Sequence, residues 1–329
     1  MKKVVSFLLS LTLAFSLAAC SSPASGSTSA GDSSSASASV SSSSQQDAVQ
    51  AKPTTDRSGA SITLPDSVGT IISMAPSITQ TLLDLGCGDA IIATDVHSAK
   101  LEGVTEGLPA FEMMTPDAEQ MAALNPDVVF VSSISSRDGT NPFQPLIDLG
   151  ISVVCIPTSA TIDDIYEDIS FIGQVMGRTQ EADAVNANLR SQLEEIAQLA
   201  ASVPEKKTVY FEISPAPYAY STGTGTYLDE MIQLVGGINI LATADGEGGW
   251  MSVDPEIVVD ANPDVIFTNV PGEGVVDEIK NRDGWNEVTA VKNGDIYLID
   301  NNASSLPNEN IVIALWEMGQ ALYPDVFVK

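Results

Sequence analysis

The sequence predicts an α/β protein with two similar lobes, each built on a parallel sheet, joined by a long helical connector. Three observations carry that reading. Met114 to Phe130 reads "MTPDAEQMAALNPDVVF" and Met251 to Phe267 reads "MSVDPEIVVDANPDVIF", with eight of seventeen positions identical. Thr115/Ser252, Met121/Val258 and Val129/Ile266 are conservative pairs within it. Each half also carries the same run of strand, proline-serine loop, helix and glycine stop. Between the halves lies a stretch with helical periodicity and no strand signal.

From Ile71 the chain reads "IISMAPSITQTLLDLGCGDAIIAT". A short β-rich run enters a Pro-Ser loop, a helix places Ile78, Leu82 and Leu85 at helical spacing, and Gly86 and Gly88 stop it before a second apolar run. The later text "TVYFEISPAPYAYSTGTGTYLDEMIQLVGGINILAT" repeats the scheme. Its helix carries Leu228, Met231 and Leu234, and Gly236-Gly237 stops it before the run "INILAT". Alternating helices with continuously apolar strands imply parallel sheets covered on both faces. From Ala160 to Val203, Ile162, Ile165, Ile169 and Ile172 form one apolar stripe, and Val185, Leu189, Ile196 and Leu199 form another after "GRT". A helical rather than extended connection predicts a stiff bridge and small lobe motion.

The N-terminus predicts export. Lys2 and Lys3 precede an apolar run that ends in "LAAC" at Cys20, the pattern of a secretory signal rather than a membrane span. The cysteine after small residues resembles the lipobox of bacterial lipoproteins, which implies cleavage before Cys20 and lipidation of its thiol. Residues 21–48 are almost wholly Ser, Ala and Gly, a flexible leash. The expected organisation is a signal peptide at 1–20, a tether at 21–55, an N-terminal lobe at 56–159, the connector at 160–203 and a C-terminal lobe at 204–329. Against 43 acidic residues stand 14 Lys+Arg, a surface that repels nucleic acid and anionic lipid headgroups. Cys87 and Cys155 sit among apolar neighbours, as buried thiols do.

From about residue 60 onward the chain resembles the class III substrate-binding proteins, the iron-complex and cobalamin receptors of bacterial ABC importers. The residues that carry the resemblance are "IISMAPSITQTLLDLG", the two glutamate helices followed by "NPDVVF" and "NPDVIF", and "WNEVTAVKNGDIYLID", in that order. The resemblance implies two Rossmann-like lobes bridged by a single long helix, with ligand held between them. It also implies that Glu119 and Glu256, equivalent in the two copies, dock on a permease dimer. A carboxylate near a helix start is favoured by the dipole in any case, but a matched pair suits a pseudo-symmetric receptor on a symmetric partner. A serine leash on a lipid anchor is typical of Gram-positive cells, which places the expected monomer on the outer face of the cytoplasmic membrane.

Loops after the strands are where such folds bind ligands. The N-lobe offers Pro76, Ser77, His97, Phe111, Met113 and Arg137, and the C-lobe offers Tyr218, Tyr220, Trp250, Asn301 and Asn302. Aromatic rings and amides with few fixed charges suit a bulky, rigid, amphipathic ligand. In the cobalamin branch a tryptophan lies six residues before the C-lobe glutamate, the spacing of Trp250 and Glu256 here, which favours a corrinoid. The N-lobe departs from that branch, with "VHSAK" where a tyrosine-bearing loop is familiar, so a ferric siderophore or haem stays open. One histidine cannot build a free zinc or manganese site, although His97 could serve as an axial ligand to a chelated metal. No resident cofactor is expected. No Gly-x-Ser-x-Gly elbow or Walker loop is present, which argues against an exported enzyme. An adhesin or sensor on the same fold is the other alternative.

Overall fold

The structure is a computed structural model that describes residues 52–136, 139–244, 246 and 248–328. The signal segment, Cys20, nearly all of the tether and Arg137 lie outside the described residues. The N-lobe runs β1 (Ile71–Ser73), α1 (Pro76–Asp84), β2 (Ile91–Asp95), β3 (Ala110–Phe111), α2 (Ala118–Ala123), β4 (Val128–Ser132), α3 (Gln144–Asp148) and β5 (Ser152–Ile156). Helices α4 (Ile162–Met176) and α5 (Thr179–Ala201) follow. The C-lobe opens with β6 (Thr208–Glu212), β7 (Tyr220–Thr222), α6 (Tyr227–Leu234), β8 (Ile238–Asn239), β9 (Trp250–Ser252) and α7 (Pro255–Ala261). It closes with β10 (Val265–Thr268), α8 (Val275–Lys280), α9 (Thr289–Asn293), β11 (Ile296–Leu298), α10 (Asn301–Ser305) and α11 (Ile311–Leu322).

Both main sheets are parallel. Their orders are β3-β2-β1-β4-β5 and β11-β10-β6-β8. In each sheet, the first strand of the lobe lies between the next strand of that sheet (β2 or β8) and the strand that follows the "NPDV" motif, so the order reverses at β1/β4 and again at β6/β10. Such reversals open a crevice at the carboxyl ends of the strands. Each sheet buries both faces. Ile71, Val128 and Phe130 face α1 and α4, while Ile72, Met74, Val129 and Val131 face Met121 and Leu146 of α2 and α3. In the C-lobe, Val209, Phe211, Val265 and Phe267 face α6 and α11, and Tyr210 and Ile266 face Val258, Ile279 and Trp285.

The helical connection has two parts. Gly177 takes φ +67° and ends α4, so the chain turns and α5 folds back along it. Asn186 Nδ2 donates to the Tyr166 carbonyl at 3.0 Å and to Ser170 Oγ at 2.8 Å. A Cβ on Gly173 would lie 2.5 Å from Ala182 Cβ, so this close helix crossing requires glycine. Ile165, Ile169 and Ile172 therefore pack α4 onto the N-lobe rather than continuing the span. The long bridge is α5 alone, 23 residues and roughly 34 Å at 1.5 Å per residue, which packs against α4 on one side and α6 and α11 on the other.

Two local differences from the sequence reading stand out. The run "INILAT" supports only the two-residue β8, because Asn239 Oδ1 accepts the Leu241 N–H at 2.9 Å and turns the chain. A separate antiparallel ribbon, β7 with β9, pairs Tyr220 with Ser252 and Thr222 with Trp250. Cys87 is buried, Cys155 is half-buried, and both thiols are free.

The repeated motif does the same work in both lobes. Asn125 and Asn262 take φ +51° and +47°, the left-handed conformation that ends α2 and α7, and the proline that follows prevents the helix from resuming. Asp127 Oδ2 then accepts the N–H groups of Gly69 and Thr70 at 2.7 and 2.9 Å, at the entrance to β1. Asp264 Oδ2 accepts the N–H and hydroxyl of Thr208 at 2.8 and 2.7 Å, at the entrance to β6. The backbone N–H groups of Asp127 and Asp264 return bonds to the Thr70 and Thr208 carbonyls at 2.9 and 3.1 Å. Each clamp thus sets the register of the lobe's two central strands.

Replacing Asp264 with Ala leaves two donors at a strand entrance without their acceptor, and is expected to cost about 1–3 kcal/mol by urea denaturation. For Asp127, the N–H groups of Gly69 and Thr70 hold the carboxyl below its ordinary range. Its contribution is therefore present above the unfolded-state value and lost as pH falls through the folded one, so Asp127→Asn should flatten the acid limb of stability against pH.

Candidate functional site

At the carboxyl edge of the N-lobe sheet, a chain of hydroxyls fixes the loops that carry Pro76, Ser77 and His97. Thr79 Oγ1 lies 2.7 Å from Ser73 Oγ and 2.9 Å from Ser98 Oγ, which ties α1 to the loop after β2. Asp95, fully buried, accepts the N–H groups of His97 and Ser98 at 2.8 and 3.0 Å and is hydrogen-bonded to the Ser98 hydroxyl. His97 is left exposed on a rigid turn, and Pro76 and Ser77 form the half-buried first turn of α1. Met113 is half-buried and packs on the larger core.

Phe111 is different. It ends β3 only 8% exposed and packs with Ile72, Met121 and Phe143, so its ring belongs to the N-lobe core and not to the cleft wall. An isolated aromatic after a two-residue strand looks the same in sequence whichever side of the sheet it enters.

The C-lobe side is built around the ribbon. Trp250 on β9 is half-buried and sits on the ring of Tyr227, with centroids 5.9 Å apart and planes at 57°. Tyr227, the first residue of α6, is buried, and its hydroxyl donates to the Ser304 carbonyl at 2.9 Å. Asn269, at the end of β10, donates from Nδ2 to the hydroxyls of Ser304 and Ser305, each at 3.0 Å. Asn301 Nδ2 donates to the Asn269 carbonyl at 2.7 Å. Trp250 and Asn301 are thus linked through buried groups, although 50 residues of sequence separate them. Tyr220 is partly exposed, and Tyr218 is 83% exposed at the tip of the turn between β6 and β7.

Sequence reasoning passed over Tyr227 and Asn269. The signal for Tyr227 was present, since Thr226 is an N-cap that accepts the Asp229 N–H and so makes the next residue the inward start of the helix. The "STGTGT" glycines also find a use. Gly223 N–H donates to the Gly249 carbonyl at 2.6 Å, which seats the ribbon on the loop that leads into α6.

Across the lobes, Gln80, Leu101 and Glu102 face Asp300, Asn302 and Asn308 around a cavity of about 360 Å³. A cavity of about 460 Å³ lies elsewhere, between residues 56–63 and the edge of β5, and its lining includes no C-lobe residue. Glu119 and Glu256 are both exposed, on α2 and α7. Each lies two residues after a capping aspartate, with Asp117 accepting the Gln120 N–H at 2.9 Å and Asp254 the Glu256 N–H at 3.0 Å.

A family model described as periplasmic binding protein matches residues 71–303, which span both sheets. The chain belongs to the periplasmic binding protein family. Among relatives of this binding protein, an ABC transporter substrate-binding lipoprotein of Bacillus subtilis is 29% identical over 275 residues, covering 83% of this chain and 85% of the relative. A cobalamin-binding protein of Halobacterium salinarum is 24% identical over 278 residues, covering 82% and 73% of the two chains. The crystal structure of a possible iron-binding periplasmic solute-binding protein of Staphylococcus epidermidis superposes with a TM-score of 0.70 at 25% identity, covering 78% of this chain and all of that one. The architecture is that of the class III binding proteins, a transport class whose members take up small ligands and work with ABC permeases.

The periplasmic-binding-protein ribbon depends on Gly249. Its φ is +80°, and a Cβ there would meet the Thr224 carbonyl oxygen at 2.5 Å and Thr226 Cγ2 at 2.7 Å. Gly249→Ala is expected to lose about 1–3 kcal/mol through strain and to release Trp250 from Tyr227, read as a changed near-ultraviolet circular dichroism spectrum alongside a lower urea midpoint.

Proposed function

We propose that this binding protein is a lipid-anchored receptor that captures a bulky metal chelate, a corrinoid by preference, between its lobes and hands it to an ABC importer permease. The observation that carries the receptor reading is the matched pair Glu119 and Glu256. They are exposed, sit at the same position of the repeated unit, and belong to different lobes. A permease dimer presents one surface twice, and a receptor with the same charged contact on each lobe can meet both halves. Cys20 is the proposed site of lipidation, which would hold the monomer on the outer face of the cytoplasmic membrane by a serine-rich leash.

The ligand preference rests on Trp250. A large flat ring already backed by Tyr227 offers a stacking surface whose orientation need not be ordered on binding. Around it we assign Tyr218, Tyr220, Asn301 and Asn302 to the C-lobe side of the ligand site, and Pro76, Ser77, His97 and Met113 to the N-lobe side. Arg137, outside the described residues, is retained from the sequence. His97 suits an axial contact to a chelated metal because its backbone is held and its ring is free to approach. A ferric siderophore or haem is the second reading, favoured by the same exposed imidazole and by an N-lobe loop that lacks the tyrosine of the cobalamin branch.

Titration of purified protein with cobalamin, cobinamide, haem and ferric siderophores, monitored by absorbance and intrinsic fluorescence, tests the ligand class. Saturable binding of a corrinoid is the expected result, and binding of an oxyanion alone would overturn the chelate reading. Trp250→Ala should weaken binding of the preferred chelate by about 1–3 kcal/mol, roughly 5- to 150-fold in Kd. Glu119→Ala and Glu256→Ala should leave that Kd unchanged while lowering uptake by cells. Loss of ligand affinity in the glutamate variants would show that the two surfaces have been misassigned.

A further inference from the structure

Beside the connector, two carboxyl groups from different lobes meet. Asp84 is the last residue of α1, and Glu309 precedes the N-cap of α11. They line one cavity of about 390 Å³ at the seam between α1, α5 and α11, together with Asn188 and Gln192 of α5, Asn310 and Trp316. The Thr81 hydroxyl, one turn before Asp84, donates to Glu309 Oε2 at 3.3 Å. Although part of Glu309 reaches solvent, its Oε1 is sealed off and accepts no hydrogen bond from any described donor.

Among the described residues, no lysine, arginine or histidine lines this cavity. Asp84 and Glu309 are the only titratable groups among its described lining residues, since α5 and α11 contribute amides, apolar groups and the Trp316 ring. Asp84 already accepts a bond from Gln80 Nε2 at 3.0 Å. Two carboxylates in such a place repel each other, while a carboxylic acid and a carboxylate hydrogen-bond through one proton.

We propose that Asp84 and Glu309 form a proton-sharing latch between the lobes, closed while one proton lies between the carboxyls and strained when it is lost. Burial first, and then the Asp84 carboxyl, push the Glu309 carboxyl well above its ordinary range, in keeping with this arrangement. For an acid raised in the folded state, the stabilisation is full below the unfolded-state value. It disappears as pH rises through the folded one. The latch therefore loosens toward the alkaline side. Its place matters because α1 carries Pro76 and Ser77 at its other end, roughly 12 Å away at helical rise, so a change at Asp84 acts on the helix that reaches the sheet edge. This inference concerns the seam and holds whatever ligand the cleft takes.

Thermal unfolding of the full chain between pH 5 and pH 8 tests it, comparing wild type with Glu309→Gln, Asp84→Asn and the control Glu195→Gln on the exposed face of α5. Glu309→Gln keeps a donor to Asp84 at every pH. It should raise Tm at pH 8 by about 2–4 °C, flatten the fall of Tm with pH, and do both beyond the control. Asp84→Asn, at a residue already exposed, should flatten the same slope without threatening the fold. Hydrogen exchange should place the change in the last turn of α1 and the first turn of α11. Parallel Tm slopes for wild type and Glu309→Gln would overturn the proposal. So would a Tm increase with calcium chloride at pH 8 that vanishes in Glu309→Gln, because the seam would then hold a cation in place of the proton.

Discussion

One continuous apolar layer holds the two lobes as a single body. It begins on the β1/β4 face with Ile71 and Phe130 and passes through Ile169 and Ile172 of α4 and Leu189 and Ile196 of α5. It ends on the β6/β10 face with Phe211 and Phe267. A hinge made of extended strands would let each lobe keep a separate core. Here the connector is core for both, so rotating one lobe against the other means exposing side chains that are now fully buried, at about 25 cal/mol for each Å² uncovered. The stiffness expected of a helical bridge has this physical content. It comes less from α5 as a rod than from what α5 is packed between.

The polar groups at the lobe boundary take their meaning from that layer. Glu230 of α6 accepts the Ile162 N–H at 2.7 Å, so a C-lobe carboxylate completes the start of α4. Such a contact is satisfied, a backbone N–H facing a carboxylate. The Asp84–Glu309 pair is of the other kind, because no described donor reaches Glu309 Oε1 and α5 brings only amides and apolar groups to the cavity the two acids line. In a seam otherwise closed by apolar packing, an uncompensated charge is the element most sensitive to solution conditions.

How much of this was legible in the sequence follows from how local each signal is. The repeated "NPDV" unit was readable because its helix end, its proline and its strand are contiguous. What the repeat could not reveal is that Asp127 and Asp264 reach back to Thr70 and Thr208, since that contact spans 57 and 56 positions. The spacing of Trp250 and Glu256 was visible for the same local reason. The ribbon that orients Trp250 was not, because two three-residue strands in glycine-rich text carry no alternation to recognise. Phe111 failed on the same ground, since a two-residue strand does not announce which face its aromatic joins. Asp84 and Glu309 were unremarkable in a chain with 43 acidic residues, and only the fold brings them into one cavity.

The clamps also explain why the two glutamates proposed for docking can be equivalent at all. In each lobe the exposed glutamate lies two residues after a capping aspartate and eight before the clamping one, so both ends of its short helix are tied down. The clamp fastens that helix to the entrance of the lobe's central strand, and the shared apolar layer fastens the two central sheets to each other. The distance between Glu119 and Glu256 is thereby set by the fold rather than by loops. A receptor meeting a permease of fixed spacing gains from this, because little ordering remains for the encounter to accomplish.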